Sequence, residues 1–148
     1  MNGLRRSSMS LPTNQPPLRS ILSPILGLSL LLIVSACART QPVLNITEEA
    51  VVTASGEAPS LAEVENAIVT ACHDKSWLVD PTDEGHIVAT AHVRHHTAIV
   101  DIVYSTERYS ITYKDSDVLL YDGEKIHRNY NKWVQLLSER INLELNKL

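Results

Sequence analysis

Four of the six histidines fall close together, at His86, His92, His95 and His96. Imidazole ligates transition metals and titrates near neutral pH, so this is where metal binding or pH sensing would be sought first. In one extended strand His86 and His92 face the same way but stand about 20 Å apart, too far to share an ion. His92 comes near His95 or His96 only across a hairpin end. Zinc asks for three or four ligands held at about 2.0–2.1 Å, and no Cys-x-x-Cys or His-Glu-x-x-His pattern completes such a set. No metal or other cofactor is expected. The His92/His95/His96 corner is the alternative, a place to hold a metal or small ligand. Otherwise these are polar residues on a solvent face and in a turn.

Cys72 is the one thiol besides Cys37. It falls on the apolar side of a predicted helix, where cysteine behaves as a small hydrophobe, and His73 points about 100° away round that helix. Asp115, Asp117, Asp122 and Glu124 gather near a turn, but Val118, Leu119 and Leu120 interrupt any calcium-loop series and Asx-turns explain the acids. No Gly-x-Ser-x-Gly and no phosphate-cradling glycine loop occurs in the sequence. Enzymatic activity is not expected, and no catalytic residue is assigned. Tyr130, Trp133 and Tyr113 could anchor a partner, but Tyr130 and Trp133 fall at helical spacing and belong first to the core.

These residues follow a leader. Met1–Ser20 carries Arg5, Arg6 and Arg19 and no acid, and Ile21–Val34 is an apolar run too short to span a bilayer comfortably. Basic start and short apolar centre are the plan of a secretory signal peptide, whether translation begins at Met1 or Met9. The run ends in Val34-Ser35-Ala36-Cys37, which resembles the lipobox of bacterial lipoproteins: an aliphatic residue, two small residues and a cysteine. The resemblance implies cleavage after residue 36 and acylation of Cys37, a membrane contact made through acyl chains. Ala38 after the cysteine implies the outer membrane; the periplasmic side is expected rather than the cell surface.

Without the three leader arginines, the net charge of −4 becomes −7. Such a domain is repelled by nucleic acid, and no basic stripe offsets this. An anionic lipid surface would repel it too, leaving the anchoring to the acyl chains.

Residues 37–59 read as the lipidated cysteine and a flexible tether, since two of the prolines after the leader, Gly56 and no aromatic residue lie there. Thr47-Glu48-Glu49 followed by Ala50–Ala54 and Gly56 leaves open a short capped helix or an added strand. The globular part, 60–148, opens with the capping box Ser60-Leu61-Ala62-Glu63, and Leu61, Val64, Ile68, Ala71 and Cys72 predict a helix over Ser60–Asp74. Trp77-Leu78-Val79 is expected to end in a turn at Asp80-Pro81. From His86 the period is two: Ile87, Ala89, Ala91 and Val93, then Ala98, Val100, Ile102 and Tyr104, then Tyr109, Ile111 and Tyr113. Turns are expected near His95-His96 and Thr106-Glu107, with a possible fourth strand at Val118–Tyr121. Tyr130, Trp133, Val134, Leu137, Ile141 and Leu145 mark a final helix starting at Asn129 or Asn131. The expected fold is α+β, a two-layer sandwich of helix, three or four antiparallel strands and helix.

The run Ile126-His127-Arg128-Asn129-Tyr130-Asn131-Lys132-Trp133-Val134, with Tyr109-Ser110-Ile111-Thr112-Tyr113 and Asp115-Ser116, resembles a segment of small proteobacterial envelope lipoproteins. That likeness implies one compact envelope domain and no particular activity. The expected function is a non-catalytic outer-membrane lipoprotein acting as a periplasmic protein-interaction or envelope-assembly module, with an envelope protein as partner.

Overall fold

The computed structural model describes residues 39–148. The leader and the Val34-Ser35-Ala36-Cys37 motif lie outside the described residues. In chain order the elements are strands β1 (Thr40–Pro42) and β2 (Ile46–Ala50), helix α1 (Leu61–Asp74), strands β3 (Trp77–Asp83), β4 (His86–Val93), β5 (His96–Tyr104), β6 (Arg108–Asp117) and β7 (Lys125–His127), and helix α2 (Arg128–Leu145). The fold is α+β, two helices with antiparallel sheet. Among the described residues no helix is long and apolar enough to cross a membrane.

Helix α1 begins where the capping box requires. Ser60 Oγ accepts from the Glu63 amide at 3.3 Å, and Glu63 Oε2 accepts from the Ser60 amide at 2.8 Å. Val64, Ile68, Ala71 and Cys72 then form its buried stripe. In α2, Tyr130, Val134, Leu137, Ile141 and Leu145 are buried and Trp133 is half-buried. The start of α2 differs from the expectation: His127 is the cap, and Asn131 instead holds the beginning of the chain. Asn131 Oδ1 accepts from the Leu44 amide at 3.0 Å, and Nδ2 donates to the Pro42 carbonyl at 2.9 Å. Arg140 joins the helices by pairing with Asp74 of α1 and with the buried Glu144.

The main sheet runs β2-β6-β5-β4-β3, every neighbour antiparallel. Its buried residues alternate. Ile87, Ala89 and Ala91, Ala98, Val100, Ile102 and Tyr104, and Tyr109 and Ile111 share the core with the two helical stripes. Val93 departs from this pattern and is 40% exposed, because it ends its strand at a hairpin turn. The opposite face carries half-buried and exposed residues such as Val88, Thr90, Asp101, Val103 and Thr112. One face is packed and the other is open, as antiparallel sheets permit.

Four sequence expectations need correction. The chain does not turn at Asp80-Pro81; β3 continues to Asp83, with Pro81 opposite Ile87. It can do so because β3 is an edge strand, where the missing proline N–H breaks no central ladder. The stretch read as tether supplies β1, paired with β7, and β2, paired with β6, so the added-strand alternative is the one realised there. With β2 and β3 included the main sheet has five strands, not three or four. Val118–Tyr121 forms no strand, because Val118 and Leu120 sit at φ 57° and 56°, outside the extended region. Leu119 between them is buried, and its carbonyl accepts from the His127 amide at 2.8 Å.

Candidate functional site

The two-residue turn Arg94-His95 sets the register of the central hairpin and so decides what the histidines can do. Val93 pairs with His96 and His92 with Thr97. With strand alternation, His92 then faces the open side of the sheet and His96 the packed side. His92 Nδ1 lies 3.1 Å from Thr97 Oγ1. His95 stands exposed in the turn. His96 turns inward, its ring 6.2 Å from that of His127 and 6.5 Å from that of Trp133. The corner is therefore divided between two faces and does not form one ligand set. Among the described residues no group of three or more His, Cys, Asp or Glu side chains is placed to hold a metal ion.

His127 was not singled out by its sequence neighbourhood, yet its imidazole has a defined structural task. Its Nδ1 accepts from the Asn129 amide at 3.2 Å and caps α2. A nitrogen that accepts carries no proton, so the neutral ring holds its hydrogen on Nε2. That nitrogen is then a donor and not a metal ligand. Burial, followed by the nearby charges of His96, Arg128 and Arg39, lowers the His127 pKa.

A second group lies on the open face, and its members are remote in sequence. Asp101 Oδ1 is 2.8 Å from His86 Nε2 and 2.8 Å from Lys114 Nζ. His86 Nδ1 is 2.8 Å from Thr82 Oγ1, which also lies 3.2 Å from the His86 carbonyl oxygen. An ionised carboxylate only accepts, so His86 Nε2 donates to Asp101. Neutral His86 then accepts the Thr82 hydroxyl proton at Nδ1. Charged His86 donates from Nδ1 to Thr82, whose hydroxyl turns to the carbonyl. Both states are satisfied. Burial works against the Asp101 charge, but the hydrogen bonds and charges of Lys114 and His86 outweigh it and hold the carboxyl below its ordinary value.

Hydroxyl, imidazole and carboxylate in this order are the parts of a nucleophile relay. Here Thr82 is engaged within its own hairpin, and Lys114 occupies the same carboxylate oxygen as His86. The array ties β3, β4, β5 and β6 together and leaves a charged, hydrogen-bonding centre on an open surface. Among the described residues Val103 and Leu78, at 55% and 65% exposure, are the exposed large apolar side chains on this side of the sheet.

The remaining candidates resolve into structure. Cys72 is buried and burial pushes its thiol up to about 12, so no thiolate is available. Asp115 Oδ1 accepts from the Ser116 amide at 2.8 Å, and Asp122 Oδ1 from the Glu124 and Lys125 amides at 3.0 and 2.7 Å. The Asp122 bonds form an Asx-turn, whereas Asp115 bonds the next amide from within strand β6. Tyr130 is buried in the core, with Tyr113 edge-on at 5.6 Å. A groove of about 560 Å³ between β2 and α2 is lined by Glu49, Ala50, Val52, Glu139, Asn142 and Leu143. Comparison with protein-family models, with curated proteins and with solved structures finds no match for this chain.

Proposed function

We propose that this chain is a lipid-anchored envelope protein, acylated at Cys37 and held on the periplasmic side of the outer membrane. Its two-layer α+β domain works by non-catalytic binding of an envelope protein partner. The observation that carries this reading is the open face of the five-stranded sheet. The face offers broad area rather than an enclosed cleft, which suits a macromolecular partner more than a small substrate. The Thr82–His86–Asp101–Lys114 array gives it a polar centre with directed hydrogen bonds, and Val103 and Leu78 give it exposed apolar area. Anchoring adds effective concentration, because a tethered module meets its partners within a thin layer.

The test is in-cell photo-crosslinking from Val103 and from Thr90 on the open face, with Glu139 on α2 as the comparison position. A discrete adduct from the sheet positions, absent from Glu139 and lost in Cys37→Ser, is the expected result. Adducts of equal yield from all three positions, or none from any, would overturn the binding role. The intact mass of the protein isolated from membranes checks the anchor separately. It should show loss of residues 1–36 and addition of acyl groups.

A further inference from the structure

The domain has little freedom to stand away from a lipid on Cys37. Ala38 alone separates Cys37 from Arg39. Two Cα–Cα steps of about 3.8 Å keep the two Cα atoms within about 7.6 Å of each other, however the link is bent. Arg39 is itself fixed. Its carbonyl accepts from the Arg128 amide at 2.9 Å, and the next residue, Thr40, pairs with His127.

Several exposed groups share this end of the molecule. Across β7 from β1, the Leu119 carbonyl takes the His127 amide at 2.8 Å, which puts Val118 about two strand spacings, or about 10 Å, from the chain's point of entry. Strand β6 arrives here at Asp117, opposite Thr97, and the Arg94-His95 turn closes beside it. The His96 and His127 rings, 6.2 Å apart, join the hairpin end to the start of α2. Val118 is 53% and Val93 40% exposed. Arg39, Arg94 and Arg128 are exposed around them, with Asp117 offsetting part of their charge; Asp74 and Lys75, which lead into Trp77 opposite Ala91, carry opposite charges at this end. The opposite end of the sheet carries Asp83 and Glu84 in one turn and Glu107 in the other, where Arg108 lies beside Glu107 and near Glu48. The net negative charge is thus unevenly placed, and the entry end is its basic pole.

We infer that this end is a membrane-seating surface, with Arg39, Arg94 and Arg128 on the phosphates of anionic phospholipid and Val93 and Val118 in the interface. The occupant is a bilayer surface and not a protein, because an acyl chain on Cys37 must enter a bilayer within a few ångströms of it. Basic charge and apolar side chains are the two features such a surface attracts. The inference rests on acylation of Cys37. It adds that the domain is oriented, with the Asp83–Glu84 end pointing away from the membrane and the open sheet face standing roughly upright, accessible from the side.

The test uses the acylated protein isolated from membranes, carrying one fluorophore at Val118→Cys, Val93→Cys or Glu84→Cys; buried Cys72 is left unlabelled. Vesicles of phosphatidylethanolamine and phosphatidylglycerol contain a lipid with a nitroxide on its headgroup. Quenching at Val118→Cys and Val93→Cys should be at least three-fold that at Glu84→Cys. The combined Arg39→Glu, Arg94→Glu and Arg128→Glu variant should halve that ratio or reduce it further. Equal quenching at the three positions, with acyl groups present in the intact mass, overturns the seating and leaves the anchor standing. An unchanged ratio in the charge-reversed variant overturns the phosphate contact. An intact mass without acyl groups removes both readings.

Discussion

His127 caps helix α2 through its ring: Nδ1 accepts the Asn129 amide proton at 3.2 Å, an interaction open only to the neutral imidazole. Protonation would turn that acceptor into a donor facing a donor, at the positive end of the helix dipole. Burial and the charges of His96, Arg128 and Arg39 act in the same direction, lowering the His127 pKa from 6.5. The sign follows from proton counting. Below about 6.5 the unfolded ring takes up a proton that the folded ring refuses, so stability falls as pH drops from there toward the folded value. In His127→Asn the cap is kept and the titration removed. Urea midpoints of the two proteins measured between pH 8 and pH 5 should diverge on the acid side, the native chain losing more. Parallel curves would rule out the cap as a pH-sensitive element.

Two buried tyrosines make opposite predictions. Tyr109 Oη is satisfied, 2.8 Å from Ser138 Oγ and 2.9 Å from Asn142 Oδ1, to which it donates, and this links β6 to α2. Tyr130 Oη is buried with no hydrogen-bond partner among the described residues. An unmet buried hydroxyl costs more than a met one contributes. Tyr109→Phe should therefore lower stability by about 1–2 kcal/mol, leaving Asn142 short of a donor. Tyr130→Phe should be neutral or raise stability by up to about 1 kcal/mol. Thermal or urea unfolding separates the cases. A larger loss in Tyr130→Phe than in Tyr109→Phe would show that the hydroxyl assignments are reversed.

Much of this fold is legible in local pattern, because helix caps and alternation act over short range. Ser60 and Glu63 mark the start of α1, and the Ile87, Ala98 and Tyr109 runs trace the central strands through the packed face. What escapes is set by partners far away in the chain. Nothing near Ile46 says that it pairs with Ile111, and β1 forms only because Lys125–His127 is there to receive it. Register is similarly fragile. Placing the central turn at His95-His96 instead of Arg94-His95 changes every cross-strand partner, which is why His92 and His96 read as neighbours and lie on opposite faces. The Asp101 array needs that register, which sets Asp101 opposite Val88 and Thr112 on the open side, where alternation from Thr112 also puts Lys114. Val118 and Leu120 have strand-like composition; their positive φ values follow from burying Leu119, a tertiary demand with no local signature.

Gly85 is required by its backbone and its neighbour together. It sits at φ +81°, and a Cβ there would stand 3.0 Å from the Tyr104 carbonyl oxygen. Gly85 also accepts the Tyr104 amide proton at 2.9 Å, which carries the β4–β5 ladder into the turn between Thr82 and His86. Gly123, at φ +101°, has nothing within 4 Å of the equivalent position. Alanine at Gly123 carries only the conformational cost, about 1 kcal/mol, whereas Gly85→Ala should cost about 2–3 kcal/mol because backbone must also move. Denaturant midpoints for the two variants give the comparison. Equal losses would mean that the Tyr104 carbonyl yields freely.

Cys72 tests the reading of the core as closed. The thiol is buried between α1 and its packing partners, and burial pushes it up to about 12, so the thiolate that reacts with electrophiles is almost absent at neutral pH. In the Cys37→Ser chain Cys72 is the sole thiol, and a thiol reagent reports on it alone. Labelling at pH 8 should be slow in the folded protein and follow the unfolding curve when urea is added, reaching the rate of a free thiol only in the denatured state. Cys72→Ala should lower stability by about 1–2 kcal/mol, the cost of emptying a small packed volume. Rapid labelling without denaturant, at a rate insensitive to urea below the transition, would mean that α1 opens locally and that the thiol is available for chemistry after all.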